Sequence, residues 1–170
     1  ERWVLKAPSH LSSLPHLFQT YPDARVVITH RDPLKVIASL ANLMATLQWM
    51  RSRKVHYEGI VSAMAFGLGF LLERSAAERD SGLVPEEQIS DIRYADLVAN
   101  PLNTLRRLYE DWGLDLSDEM ERRIRSYLEN RHQGRVALHD YAFEDTGLSL
   151  ESERARHAPY QERFGVASEI

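Results

Sequence analysis

The stretch VVITHRDPLKVIAS, residues 26–39, decides the fold that the sequence predicts. It begins with an apolar run rich in β-branched residues, which is typical of a strand covered on both faces of a sheet. Asp32 is a favourable helix N-cap, and Pro33 suits the first helical position because its missing N–H would have no helical partner. Apolar residues then recur at helical spacing to about residue 49. The stretch therefore predicts a strand, a turn and a helix.

The same alternation of strand and helix patterns recurs along the chain. Residues 2–5 (RWVL) predict a short buried strand, and residues 88–94 (QISDIRY) predict another by their alternation of apolar and polar side chains. Helical patterns fill most of the remaining chain, at about residues 10–21, 56–79, 101–112, 117–131 and 152–164. Strands that alternate with helices predict an α/β fold, in which a mainly parallel sheet is flanked by helices.

Length and composition restrict the classes of function. A chain of 170 residues has the size of one domain, so we expect a single domain over residues 1–170. A net charge of -4 without a dense Lys/Arg run argues against nucleic acid as a partner. The absence of cysteine excludes disulfides and thiolate chemistry and favours a cytoplasmic location. No metal-binding motif is present, so we expect no metal.

The longest apolar run is IVSAMAFGLGFLL, residues 60–72. It is shorter than the stretch of about 20 residues that a bilayer requires. The sequence therefore predicts a helix buried in the protein core and no membrane span. The alternative is that this helix lines a pocket for a lipophilic acceptor.

Polar and aromatic side chains follow each of the three predicted strands. Lys6 and His10 follow the first strand, Arg31 follows the second, and Tyr94 follows the third. Because the carboxyl ends of parallel strands meet at one edge of a sheet, we expect these groups to converge there. This edge is the predicted ligand site.

Arg31 is the side chain at this edge that is best suited to bind an anion. Its guanidinium group offers a planar set of donors that matches a phosphate or carboxylate. The alternative is an ion pair with Asp23 or Asp32. Ser39 lies in the second turn of the helix that follows, so an anion that touches both residues would lie beside the helix. On its own, Ser39 would be a small packing residue.

Residues 3–39, WVLKAPSHLSSLPHLFQTYPDARVVITHRDPLKVIAS, closely resemble the core of PAPS-dependent sulfotransferases, especially the bacterial-type branch with LKxPxH and THRDP motifs. This resemblance implies a P-loop-hydrolase-like fold. In the family, an Arg after a strand and a Ser eight residues later bind the 3′-phosphate of the nucleotide, which is the spacing of Arg31 and Ser39. IRYADLVANP resembles the family's YxDL segment, whose Tyr, here Tyr94, lies against the adenine. YQERFG, residues 160–165, also resembles the family.

The resemblance implies transfer of a sulfuryl group from PAPS (3′-phosphoadenosine 5′-phosphosulfate) to a hydroxyl or amine of a small-molecule acceptor. The acceptor classes are an alcohol, a phenol, a sugar or a lipid. Lys6 would face the sulfonate, and His10 would be the base, since imidazole takes a proton near neutrality. In the well-known cytosolic members the His comes two residues after the Lys, whereas here it comes four after. A carboxylate outside this chain is the alternative base.

Two further segments of the family are not recognisable in this sequence. The Gly-rich 5′-phosphosulfate loop is absent, and the late RKG-like phosphate segment has only Arg131 and Arg135 as weak substitutes. We therefore expect the chain to be the C-terminal portion of a longer sulfotransferase, with an N-terminally incomplete sheet. The alternatives are a catalytically incomplete nucleotide-binding or interaction module of the same fold and, third, another α/β nucleotide enzyme such as a kinase, which the absence of a Walker lysine loop disfavours. The oligomeric state is left open.

Overall fold

The computed structural model describes residues 3–133 and 142–170. Two strands and seven α-helices make up most of this part of the chain. In chain order they are α1 (Leu14–Thr20), β1 (Val26–His30), α2 (Pro33–Trp49), α3 (Tyr57–Asp80), β2 (Ile89–Arg93), α4 (Tyr94–Ala99), α5 (Pro101–Asp111), α6 (Asp118–Gln133) and α7 (Leu150–Phe164). Short 3₁₀ helices lie at Pro8–Ser12, Glu86–Gln88 and Phe143–Thr146.

The sheet consists of β1 and β2, which run parallel in a register that pairs Val26 with Ile89 and His30 with Arg93. Helices α2 and α3 form the crossover between the two strands, as a parallel pair requires. Ile28 and Ile92 are buried, and because the register pairs Ile28 with Asp91 and Thr29 with Ile92, they lie on opposite faces of the sheet. The predicted α/β class, a parallel sheet flanked by helices, is confirmed.

The predicted first strand is wrong. Trp3, Val4 and Leu5 lie in an irregular segment and are 84%, 93% and 67% exposed. A strand needs a neighbour for its backbone N–H and C=O groups. In the part of the chain that the structure describes, β1 and β2 pair with each other and not with this segment.

The predicted helix over residues 10–21 is divided in two. A 3₁₀ helix covers Pro8–Ser12, and α1 begins at Leu14. The reason is Pro15, which has no N–H to continue an earlier helix but fits the first turn of a new one. Leu14 and Phe18 then pack with Val84 in a small apolar cluster.

Helix α2 has the predicted bounds and the predicted cap. The Asp32 side chain accepts a hydrogen bond from the Leu34 backbone N–H at 3.0 Å. Residues at helical spacing face the core, namely Leu34, Ile37, Ala38 and Ala41. The local sequence is therefore sufficient to specify this helix.

Helix α3 corrects the prediction of a buried core helix. Val61, Ala65 and Gly69 are buried, but Phe66 is 68% exposed and Phe70 is 47% exposed. Only 28% of its most apolar 18-residue window is buried. By length and composition this helix could cross a bilayer, which is a weak indication because core helices of soluble proteins pass the same test.

A buried carboxylate joins the sheet edge to the end of the chain. Asp32 is fully buried, and Arg154 of α7 donates to it from Nη1 and Nη2 at 2.8 and 3.0 Å. The Glu169 backbone N–H donates to the same carboxylate at 2.7 Å. Burial raises the pKa of Asp32, but the hydrogen bonds from Arg154, Glu169 and Leu34 outweigh burial and hold this pKa below its usual range.

Replacing this carboxylate should strongly destabilise the protein. We expect Asp32→Asn to lower the free energy of unfolding by about 3–5 kcal/mol, because Arg154 loses its charged partner. Urea unfolding followed by circular dichroism measures the change. The control is Asp96→Asn, whose carboxylate is 52% exposed in its pair with Arg93 and should cost less than about 1 kcal/mol. Equal losses in the two variants would contradict the role of Asp32.

Candidate functional site

Arg31 and Tyr94 meet at the carboxyl edge of the sheet. Each follows the last residue of its strand, and the parallel register places those last residues, His30 and Arg93, side by side. The Arg31 guanidinium carbon lies 4.2 Å from the centroid of the Tyr94 ring. The structure thus brings together two of the residues that the sequence analysis selected, by a stacked cation–π contact.

Arg31 also holds a carboxylate. Its Nε lies 3.0 and 3.1 Å from the two carboxylate oxygens of Glu169, and its Nη2 lies 2.7 Å from Oε2. Both side chains remain about one third exposed. Glu169 was not predicted as a site residue, and nothing in the local sequence indicates this contact because the two residues are 138 positions apart. The geometry shows that the guanidinium group can receive a two-oxygen anion at this edge.

The last residues of the chain are fixed at the same edge. Arg154 donates to the Ile170 carbonyl at 3.2 Å, and Gln161 donates to the Val166 carbonyl at 3.2 Å. With the Glu169 N–H on Asp32, these bonds hold the tail, residues 166–170, against α7 and the start of α2. The carboxylate on Arg31 is therefore part of an ordered segment.

The other predicted site residues lie on different elements. Ser39 is half-buried in the second turn of α2. Lys6 is exposed in the irregular segment, and His10 is exposed in the 3₁₀ helix Pro8–Ser12. The strand that was expected to bring Lys6 to the sheet edge does not form, so the roles of Lys6 and His10 stay predictions.

Of the two late arginines, Arg131 alone lies in the part of the chain that the structure describes. Arg131 belongs to α6, and Arg135 lies outside the described residues. Among residues 3–133 and 142–170, no three His, Asp or Glu side chains are grouped so that they could hold a metal ion.

A buried polar cluster beneath Arg31 was missed by the sequence analysis. His30 is 2% exposed, its Nδ1 lies 2.7 Å from the Tyr160 hydroxyl, and its Nε2 lies 2.8 Å from the Asp91 carboxylate. Its ring stacks on Phe164 with the centroids 4.2 Å apart. Tyr160 and Phe164 belong to the YQERFG segment, so the resemblance pointed to this segment without indicating its contact.

Burial and neighbouring charges determine which atoms of this His30 cluster carry a proton. Burial raises the pKa of Asp91, but hydrogen bonds from His30 and Arg79 outweigh burial and lower it to about 2. Burial raises the pKa of Tyr160 well above its usual range, so its hydroxyl keeps its proton. An ionised Asp91 only accepts hydrogen bonds, so Nε2 of His30 donates to it. In neutral His30, Nδ1 then accepts from Tyr160, and the cluster ties β1 to β2 and α7.

Acid should weaken this cluster. Asp91 has an ordinary pKa of 3.8 and a folded pKa of about 2, so its contribution is present above pH 3.8 and is lost as the pH falls through 2. The pKa shift of Asp91 corresponds to a contribution of about 2 kcal/mol to the free energy of unfolding. Because the side chain is 35% exposed and is screened by solvent, we reduce this contribution to about 1 kcal/mol. Urea unfolding at several pH values measures it. The stability difference between wild type and Asp91→Asn should shrink over this interval, and a constant difference would contradict the assignment.

Two open grooves lie near these elements. One, of about 470 Å³, runs between α7 and the tail, and it includes Arg154 and Gln161. The other, of about 580 Å³, lies between α2 and α3 and is lined mainly by apolar side chains. Neither is lined by Lys6, His10, Arg31, Ser39 or Tyr94.

Comparison with known sequences gives the same family for most of the chain. The model of the sulfotransferase family matches residues 1–118. Two curated relatives are the omega-hydroxy-beta-dihydromenaquinone-9 sulfotransferases Stf3 of Mycobacterium bovis and Mycobacterium tuberculosis. Each is 28% identical over 126 residues, which are 74% of this chain and 32% of the relative. The chain thus spans about a third of the length of these relatives.

Comparison with solved structures also gives sulfotransferases. The sulfotransferase STF9 from Mycobacterium avium superimposes with a TM-score of 0.84 and 28% identity, covering 98% of this chain and 43% of STF9. STF1 from Mycobacterium tuberculosis gives a TM-score of 0.68 and 33% identity, covering 94% of this chain and 40% of STF1. With the family match, the shared P-loop-like α/β fold shows that this chain belongs to the sulfotransferase family.

Proposed function

We propose that this chain is the part of a sulfotransferase that binds the 3′-phosphate and adenine of PAPS, in an enzyme that transfers the sulfuryl group to a small-molecule acceptor. The observation that carries the proposal is the stacked pair of Arg31 and Tyr94 at the carboxyl edge of the parallel strands. Ligands of open α/β sheets bind at this edge. Family membership supplies the reaction class.

Arg31 is suited to bind the 3′-phosphate because of the way α2 is capped. Asp32 caps α2 and uses the Leu34 N–H, so the helix tip has one backbone donor fewer for a ligand. A side-chain donor beside the helix must then hold the anion. Arg31 holds the Glu169 carboxylate by two nitrogens, and a phosphate offers the same kind of oxygen pair. Ser39 would add a hydroxyl donor along the flank of α2.

Tyr94 is suited to the adenine because its ring is only partly covered. Arg31 stacks on the ring, yet 36% of the residue is exposed. Aromatic rings stack favourably with one another, so a purine can pack on the remaining surface. The Arg31 contact would then fix the ring orientation before the nucleotide arrives.

Lys6 and His10 complete the proposal for the chemical step. His10 would accept the proton of the acceptor hydroxyl or amine as that atom attacks sulfur and the bond to the phosphate oxygen breaks. Lys6 would stabilise the negative charge on that leaving oxygen. Both are exposed in the structure, so a neighbouring segment of the protein or the substrate has to cover them. The backbone donors for the 5′-phosphosulfate likewise have to come from outside the described residues.

The acceptor class within this proposal is a small molecule that carries a hydroxyl group. The curated relatives are named for a hydroxylated menaquinone derivative, which is lipid-like. A lipid alcohol is therefore the first acceptor to test, ahead of a phenol, a sugar or an amine. A cytoplasmic location belongs to the same proposal.

The direct test is transfer of ³⁵S from PAPS to an acceptor panel by the protein that carries this chain. We expect labelled product with a lipid alcohol. Nucleotide binding without transfer to any acceptor would favour a catalytically incomplete module. Failure to bind 3′,5′-ADP would overturn the site assignment.

Removing the Arg31 guanidinium group should weaken nucleotide binding. We expect Arg31→Ala to cost about 1.5–3 kcal/mol in the binding free energy of 3′,5′-ADP, the range for hydrogen bonds to charged groups. Isothermal titration calorimetry measures this cost. The control is Arg93→Ala, since Arg93 ends β2 and is 55% exposed in a surface ion pair with Asp96. Similar affinities for Arg31→Ala and the control would contradict the role of Arg31.

Removing the competing carboxylate should have the opposite effect. We expect Glu169→Gln to bind 3′,5′-ADP more tightly, by up to about fivefold, because an ion pair whose side chains are about one third exposed contributes at most about 1 kcal/mol. The control is Glu162→Gln, which removes an exposed charge from α7. Weaker binding by Glu169→Gln would show that Glu169 positions Arg31 and does not compete for it.

A further inference from the structure

We propose that the outer surface of the α2–α3 hairpin docks on an anionic lipid bilayer. This proposal does not depend on the proposed reaction. It rests on three observations: exposed apolar stripes on both helices, a groove that lies between the helices, and a basic turn at the end of the hairpin. We call this surface the hairpin face.

The apolar stripes follow helical spacing. Leu43 and Leu47 of α2 and Met50, which caps the end of this helix, are separated by four and three residues, so they share one side, and they are 51%, 37% and 71% exposed. On α3, Phe66 and Phe70 are separated by four residues and are 68% and 47% exposed. Side chains of this size are costly to leave in water in such number.

A groove lies between the two helices beside the stripes. It is lined by Leu47 from the α2 stripe and by Gly59 and Ala63, which precede Phe66 and Phe70 on the same side of α3. Met44, Ile60 and Met64 also line it. Its volume is about 580 Å³. The groove therefore meets the α2 stripe at Leu47 and meets, on α3, the side of the helix that carries Phe66 and Phe70 further along.

The charges on the hairpin specify the partner. Residues 33–80 of the hairpin carry six basic side chains (Lys35, Arg51, Arg53, Lys54, Arg74 and Arg79) and four acidic ones (Glu58, Glu73, Glu78 and Asp80), although the whole chain has a net charge of -4. Arg51, Arg53 and Lys54 are exposed in the turn between the helices, away from three of the four acidic residues, and Arg51 lines the groove. An apolar surface with a cationic border is the pattern that binds the interface of an anionic membrane.

The opposite side of α3 is anchored in the protein, so the helix lies on a bilayer and does not enter it. Val61, Ala65 and Gly69 face the core. At its C-terminal end, Arg79 is bound to Asp91 and Glu86, and Asp80 is bound to Arg163. Insertion across a bilayer would break these ion pairs.

Vesicle flotation with the wild-type protein is the first test. We expect binding to phosphatidylcholine vesicles that contain phosphatidylglycerol, weak binding to phosphatidylcholine alone, and a loss of binding as salt is raised. Equal binding to both vesicle types, or binding to neither, would overturn the proposal. This arm uses no substitution, so it does not depend on the folding of a variant.

Two sets of variants then locate the surface. Replacing Arg51, Arg53 and Lys54 by Gln should lower the partition coefficient by about 100-fold. The control replaces Arg122, Arg123 and Arg125 of α6, which are also exposed basic residues, and should retain at least most of the binding. Similar losses in the two sets would show non-specific attraction and overturn the proposal.

The apolar part is tested by Phe66→Ser with Phe70→Ser. Binding of this double variant to vesicles should fall at least tenfold. The control is the double variant Leu83→Ser and Tyr127→Ser, which should bind as wild type does because Leu83 and Tyr127 are 71% and 64% exposed outside the hairpin face. Light scattering after gel filtration tests the other occupant, a second copy. A dimer that the Phe66/Phe70 pair of substitutions dissociates, without vesicle binding by the wild type, would assign the hairpin face to self-association.

Discussion

The structure depends on one buried charge, the carboxylate of Asp32. It caps α2, receives the guanidinium group of Arg154 from α7, and accepts the backbone N–H of Glu169. An ionised group without water is stable only when its partners satisfy it, so the three elements must be in place together. This charged network therefore helps to set the position of the sheet edge relative to α7 and the tail.

Arg31 stands next to this carboxylate and has a different environment. Asp32 is fully buried and satisfied within the protein, whereas Arg31 is one third exposed, stacked on Tyr94 and paired with a carboxylate that water can reach. Of these two adjacent charged residues, Asp32 therefore has a structural role, whereas Arg31 can be reached by a ligand. This arrangement agrees with the membership of the chain in the sulfotransferase family, and the His30 cluster below supports it by fixing the end of β1.

Local sequence predicted the features that local interactions determine. The bounds of α2, the cap by Asp32 and the position of β2 needed only neighbouring residues and periodicity. Residues 2–5 failed as a strand because pairing depends on a distant partner. The contacts of Arg31 with Glu169 and of His30 with Tyr160 join residues more than 100 positions apart, so no spacing could reveal them. A uniformly apolar run likewise does not reveal which side of α3 faces outward.

The α2–α3 hairpin is fixed at its base by charged groups. Asp32 holds the start of α2, and the ion pairs of Arg79 hold the end of α3. With 24 residues at about 1.5 Å each, α3 is a rod about 36 Å long. Val61, Ala65 and Gly69 are buried along this length, so α3 is held by packing as well as by the ion pairs at its end. The distance between the turn at residues 51–56 and the sheet edge beside Arg31 is therefore fixed by the same core that forms the fold.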